Sequence, residues 1–481
     1  MRLYFLLFAT FFLHSAVQAQ SSSYKIEVEI ANMPDTTLLL GNYYGESTYA
    51  KDTCAFRAGK GVFEGDKPLP KGVYFLILGK TKLFDLVVGT DQTFLLKTDN
   101  KDYLASMQVE GDEDNSLFFK NVNYTIQKNK EAAPHIAILQ DSTASEVAVQ
   151  EARAAMKQIN QEVDSVQKAY IQSAPQTLTA QYIRASQALS IPESAKKADG
   201  SVDNAKAFAH YKVHFFDAMD LSNDAFLRFP RPIYTEKIAE YLDRMVVQQP
   251  DSIFKYASWI IEQAKPNTET YKYATWNILL KYQNPDIMGL DEVFVRLFDT
   301  YFASGEMDFW ANAQLIKNLK EQADRYRKSL IGQKGANLIM QDQNFSPKSL
   351  YDIKKKYTVL YIFDPDCGHC KKETPKLVEF YNQNSKTLNV EVYAVSADTS
   401  MVKMKDYIRD MKMPWITVNG PRTYVGPYSD LYDAPVTPMI YVLDENKIII
   451  GKKLPADKLA DFLTRYEKML ALRKEEEKSA H

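Results

Sequence analysis

The seven residues from Tyr357 to Phe363 are apolar or aromatic except Thr358, and the run stops at Asp364-Pro365-Asp366, just before Cys367. A run with no alternating polar face predicts a strand buried on both sides, which a sheet provides only when both of its faces are covered. This requirement constrains the C-terminal part of the chain to an α/β arrangement. Residues 389–395, 439–443 and 447–450 read as further strands, with helices after Cys367, Ser400 and Pro455. We assign this domain to residues 331–473. The charged run Lys474-Glu475-Glu476-Glu477-Lys478 reads as a solvated tail, 474–481.

Upstream the pattern changes. Between Lys25 and Val109 apolar positions alternate with polar ones, as Ile26, Val28 and Ile30 do against Lys25, Glu27 and Glu29. Short runs of this kind, parted by turn residues, predict a small antiparallel β-sandwich over residues 20–112. Cys54 falls in one of its strands and reads as a part-buried thiol. Residues 113–330 are predicted to be all α, with helices around 204–219, 235–247, 251–263 and 307–328. Val149, Ala152, Met156, Ile159, Val163, Val166 and Tyr170 recur three and four apart, which makes one continuous apolar seam. The seam predicts a long amphipathic helix packed on another helix of the same chain, with a dimerisation arm as the alternative. The chain is therefore read as a monomer or a helix-mediated homodimer. Its fold class is multi-domain: an N-terminal antiparallel β-sandwich, a central all-α region and a C-terminal α/β domain.

The first residues carry a different message. Arg2 precedes an apolar stretch from Leu3 to Phe12, and Val17-Gln18-Ala19 supplies small residues for cleavage. This is the pattern of a secretory signal peptide over 1–19, too short to span a bilayer. A formal net charge of −2 offers no basic field for nucleic acid or anionic lipid. Six histidines among 481 residues do not make a histidine-rich metal tract, so no metal or other cofactor is expected. Three cysteines in an exported chain, two of them three positions apart, point to redox chemistry more than to structural staples.

Two cysteines at this spacing on a helix place their Cα atoms about 5 Å apart, which suits a disulfide. The first sulfur then sits at a helix N-terminus, where unpaired N–H groups and the dipole favour a thiolate. A thiolate is the attacking species in disulfide exchange, so Cys367 is the expected nucleophile and Cys370 the resolving thiol. Structural zinc uses the same spacing but needs further ligands, and the chain is read as offering neither a second C-x-x-C nor an H-x₃₋₅-H pair. An inert structural disulfide is the remaining alternative.

The whole segment Tyr361-Ile362-Phe363-Asp364-Pro365-Asp366-Cys367-Gly368-His369-Cys370-Lys371-Lys372-Glu373-Thr374-Pro375 resembles the active-site segment of thioredoxin-like proteins, most of all their TlpA-like secreted branch. The resemblance covers about the last 150 residues, one domain's worth. It implies a thioredoxin-like fold, with Pro375 where that family kinks its active-site helix. Thr437-Pro438 resembles the family's cis-proline loop, which implies that Pro438 shapes the substrate cleft and that the Thr437 backbone stands beside Cys367 to pair with an extended peptide. Gly368 and His369 would line the same cleft, the histidine favouring the thiolate. Glu373 resembles the acidic residue that relays protons to the buried cysteine, with a plain surface carboxylate as the alternative. Asp366 stands where thioredoxins carry tryptophan, and capping the helix would turn its charge away from the thiolate. A thiol peroxidase on a related fold would carry threonine where this chain has Asp364.

The resemblance implies a periplasmic thiol–disulfide oxidoreductase that reduces or rearranges disulfides in cell-envelope proteins. Its implied partners are disulfide-containing exported proteins and a membrane electron donor. Cys-Gly-His-Cys also occurs in protein disulfide isomerases, whereas the TlpA likeness points to a reductant, so the direction stays open. The alternative is a client-binding or scaffold protein whose C-x-x-C pair is a regulatory redox latch, since about two-thirds of the chain precedes the redox segment.

Overall fold

The computed structural model describes residues 23–199 and 201–479. The signal-peptide reading of 1–19 lies outside them. Two compact units divide between Tyr241 and Leu242, inside the helical region.

The first unit opens with eight strands: β1 (Tyr24–Ala31), β2 (Thr36–Tyr44), β3 (Ser47–Phe56), β4 (Lys60–Gly65), β5 (Gly72–Leu78), β6 (Thr81–Val88), β7 (Thr93–Asp99) and β8 (Gln108–Glu110). They form two sheets, β4-β1-β7-β8 and β3-β2-β5-β6, which close over one core. The two-residue alternation sets that core: Ile26, Val28 and Ile30 are fully buried and the intervening charges face outward. One pairing corrects the expected antiparallel order, because β1 and β7 run parallel, with Ile26 opposite Phe94 and Val28 opposite Leu96. β7 comes back to β1 only after β5 and β6 have been laid down in the other sheet, so no hairpin dictates its direction. Cys54 is buried in β3 opposite Leu38, and burial pushes its thiol up to about 11.

Helices follow: α1 (Glu113–Gln140), α2 (Glu146–Ser173), α3 (Leu178–Ser186), α4 (Asn204–His214) and α5 (Ile233–Glu240). Asn115 plugs α1 into the sandwich, accepting from the Val87 N–H and donating to its carbonyl. The seam residues lie on α2, which packs along α1; Lys128 of α1 reaches Glu162 of α2 at 2.6 Å.

The second unit begins with α6 (Pro250–Ala264), α7 (Thr268–Lys281), α8 (Asp291–Leu297) and α9 (Ala313–Arg327). Then come β9 (Ile339–Asp342), β10 (Pro347–Ser349), β11 (Tyr357–Phe363), α10 (Gly368–Asn384), β12 (Val390–Ser396), α11 (Met401–Met411), β13 (Ile416–Asn419), the short hairpin β14 (Arg422–Thr423) and β15 (Gly426–Pro427), β16 (Met439–Leu443), β17 (Ile449–Lys452) and α12 (Leu459–Ser479). Seven strands make one sheet in the order β10-β9-β13-β12-β11-β16-β17. Every residue of β11 is buried, as its unbroken apolar run requires. Tyr357, Val359, Tyr361 and Phe363 pack with residues of α10 and α12, while Leu360 and Ile362 pack with Tyr393, Tyr432 and Tyr441 in a second core. The run from Lys474 to Lys478 is helical, because its lysines and glutamates propagate α12 to Ser479 rather than ending it. Among the described residues no helix is long and apolar enough to cross a membrane.

Candidate active site

Strands β11, β12 and β13 are parallel, so their carboxyl ends lie along one edge of the sheet. The chain leaves β11 there through a tight turn: the Asp366 N–H donates to Asp364 Oδ1 at 2.8 Å and the Cys367 N–H to the Asp364 carbonyl at 3.1 Å. Cys367 occupies the N-cap of α10, with extended backbone, and its sulfur accepts from the Cys370 N–H at 3.4 Å. This sulfur therefore meets the unpaired end of the helix directly. Cys370, one turn on, is completely buried, and its sulfur accepts from the Asp364 N–H at 3.5 Å. Both are free thiols. Gly368 and His369, between them, are exposed.

The peptide bond between Thr437 and Pro438 is cis, and the Cys367 thiol donates to the Thr437 carbonyl at 3.4 Å. The loop expected to face the nucleophile does so. Partial burial pushes the Cys367 thiol up, but hydrogen bonds from Cys370, the Thr437 side chain and the His369 amide outweigh it and hold the thiol below its ordinary value. Burial pushes Cys370 the other way, up to about 12. The two sulfurs are thus chemically unlike: one is accessible and readily ionised, the other enclosed and protonated.

Asp366 does not cap the helix as its position suggested. Cys367 has taken the cap, so the aspartate points outward and pairs with Lys403 Nζ at 2.7 Å, a lysine that also reaches Asp398 at 3.0 Å. Glu373 is half-buried; its carboxylate accepts from the Ala456 N–H at 2.5 Å and pairs with Lys376 at 3.2 Å. Thr374 was not singled out from the sequence. Its hydroxyl donates to the Cys370 carbonyl at 2.9 Å and lies 2.8 Å from both the Tyr361 and Tyr407 hydroxyls. With its only proton committed, it must accept from both tyrosines. Phe363 stacks on Tyr407 at 4.9 Å and closes the wall behind Cys370. Pro375 lies inside α10, as expected. Lys403 was missed because it forms no local pattern with the cysteines; only α11 brings Lys403 and Tyr407 to this edge, and Thr374, one turn after Cys370, gains its role only from the two tyrosines that other elements supply. The sequence does hold an H-x-x-x-H pair, His210 and His214 on α4, but it lies in the first unit and His214 is bonded to Asp217 at 2.6 Å.

Residues 331–452 match the model of the AhpC/TSA family. The C-terminal domain is thioredoxin-like. Residues 24–118, which span the sandwich, match a domain of unknown function, DUF4369. The thioredoxin-like domain is 26% identical over 127 residues to "Thiol-disulfide oxidoreductase ResA" of Bacillus cereus, covering 26% of this chain and 70% of that protein. It is 42% identical over 59 residues to "Probable nucleoredoxin 1" of Arabidopsis thaliana, 12% of this chain and only 10% of that relative's length. Among solved structures, a domain of a "possible thiol-disulfide isomerase" from Cytophaga hutchinsonii is 38% identical, covering 30% of this chain and 97% of the domain, with a TM-score of 0.28.

Proposed function

We propose that the chain is an exported thiol–disulfide oxidoreductase that reduces or rearranges disulfides in other proteins of the cell envelope. The observation that carries this reading is the asymmetry of the two thiols: Cys367 at a helix N-terminus, held low, and Cys370 buried and held high. The Cys367 thiolate attacks a client disulfide; one client sulfur leaves and takes up a proton, and a mixed disulfide forms. Cys370 then loses its proton and attacks Cys367, releasing the second client thiol and leaving the Cys367–Cys370 disulfide. Thr437 and Pro438 line the cleft with Gly368 and His369, and Glu373 is the acidic group nearest in sequence for the proton of Cys370. The Bacillus cereus relative is named a thiol-disulfide oxidoreductase, which supports the same class.

The test uses the full mature chain with Cys54 changed to serine. Cys370→Ser should trap a mixed disulfide with a disulfide-bonded substrate, and Cys367→Ser should trap none. Equal trapping by both, or by neither, would end the reading. Equilibration in glutathione buffers then sets direction: a potential near or above about −200 mV favours an isomerase, and one well below about −250 mV a reductant supplied by a membrane donor.

A further inference from the structure

The segment before the thioredoxin-like domain is tied into it by buried polar groups. Lys452, the last residue of β17, is 3% exposed, and burial pushes its ammonium below the ordinary lysine range. Its ammonium pairs with Asp291 at the start of α8, also 3% exposed, and donates to the Ser329 carbonyl at 2.9 Å. Its backbone N–H donates to Met288 Sδ at 3.2 Å, so the segment before α8 covers the outer edge of β17. A buried charge without its partner is far costlier than an exposed one, so this contact is committed, not incidental.

Ser329 has a second role. Fully buried just after α9, it accepts through its hydroxyl from the Asp433 N–H at 3.3 Å. Asp433 is itself buried, and its carboxylate faces Arg325 of α9 at 3.8 Å and Lys453 at 4.0 Å. Its carbonyl accepts from the Tyr441 hydroxyl of β16 at 2.6 Å. Asp433 thus anchors one end of the loop Asp433-Ala434-Pro435-Val436-Thr437-Pro438, whose other end bears the Thr437 carbonyl opposite Cys367. Val436, beside Thr437, is 65% exposed, so the tip of the loop gains little from packing of its own. It is held at Asp433 on one side and by β16, which begins at Met439, on the other.

We infer that α8 and α9 are a positioning element of the redox site: through Asp291, Lys452, Ser329 and Asp433 they set where Thr437 stands against Cys367, and so set the reactivity of the nucleophile. This deepens the oxidoreductase reading and rests on it. Without the residues before 331, Lys452 would lose Asp291, and Asp433 would lose Ser329 and Arg325.

The test titrates Cys367 itself in the full chain, with Cys54 changed to serine, by the pH dependence of its alkylation by iodoacetamide. Ser329→Ala removes the acceptor of the Asp433 N–H. We expect alkylation at pH 7 to quicken about threefold, with the profile moved to lower pH and the plateau rate unchanged, because the Thr437 carbonyl accepts from the Cys367 thiol and so favours its protonated form. The double variant Asp291→Leu with Lys452→Met replaces the buried pair by apolar groups and serves if the first variant unfolds, with circular dichroism reporting the fold. It should shift the profile in the same sense. Folded variants with the parent's profile would overturn the inference. Alkylation needs no client and no electron donor, so its outcome is separate from whether the chain exchanges protein disulfides.

Discussion

Lys403 Nζ lies 2.7 Å from the carboxylate of Asp366, the residue immediately before the nucleophile. A bare aspartate at this point would oppose the Cys367 thiolate; the lysine, brought by α11, offsets it and also holds Asp398. Both partners are substantially exposed, 49% for Lys403 and 68% for Asp366, so solvent screens the effect. We expect Lys403→Met to raise the Cys367 pKa and slow its alkylation at pH 7 by about twofold, and Asp366→Asn to do the reverse. Added salt should shrink both differences. A rate that falls in Asp366→Asn would refute the assignment of charge.

The three thiols should separate by pH. Cys367 is held below the ordinary range, while burial pushes Cys54 up to about 11 and Cys370 up to about 12. A raised pKa leaves a thiol protonated and unreactive at neutral pH, so brief iodoacetamide treatment of the reduced native protein at pH 7 should add one label, at Cys367. Peptide mass spectrometry checks the position. A second early label on Cys370 would show that its enclosure is looser than the geometry described here.

Much of this site was legible before any coordinates. Cys367 and Cys370 follow from one contiguous stretch, because strand, turn and helix start are local features, whereas Pro375 and the Thr437-Pro438 pair came from the resemblance to thioredoxin-like proteins. β11 was equally legible, since burial on both faces leaves no polar alternation. What escaped depends on distance along the chain. Lys403 and Tyr407 reach the site only because β12 and α11 return the chain to the same edge of the sheet. The parallel pairing of β1 with β7 escaped for the same reason, since period-two alternation gives faces and says nothing of direction. The cap on α10 was misassigned to Asp366 because a carboxylate is the commoner cap, whereas the sulfur of Cys367 fills that position here.

Thr374 should matter to stability more than to chemistry. Its hydroxyl is the shared partner of the Tyr361 and Tyr407 hydroxyls, and it is fully buried. Thr374→Val keeps the shape and strips both tyrosines of their acceptor. Each buried hydroxyl left unpaired costs about 1–3 kcal/mol, so the midpoint of denaturant unfolding should fall by the equivalent of about 2–4 kcal/mol. A loss under about 0.5 kcal/mol would mean that the tyrosines find other partners.

The apolar seam on α2 offers a last prediction. Ala152 is its one fully buried residue, and the others are partly covered where α2 packs along α1. A seam already covered within its own chain has little apolar surface left for a second copy. The mature protein should therefore sediment as a monomer at tens of micromolar, a concentration at which a dimer of micromolar affinity would be populated. Ala152→Leu should overpack the helix pair and lower stability by about 1–3 kcal/mol without changing sedimentation. A dimer in the parent that Ala152→Leu dissociates would instead make the seam an interface between chains. The redox site would then be presented twice in one assembly, and the long α1–α2 pair would be the arm that joins the copies.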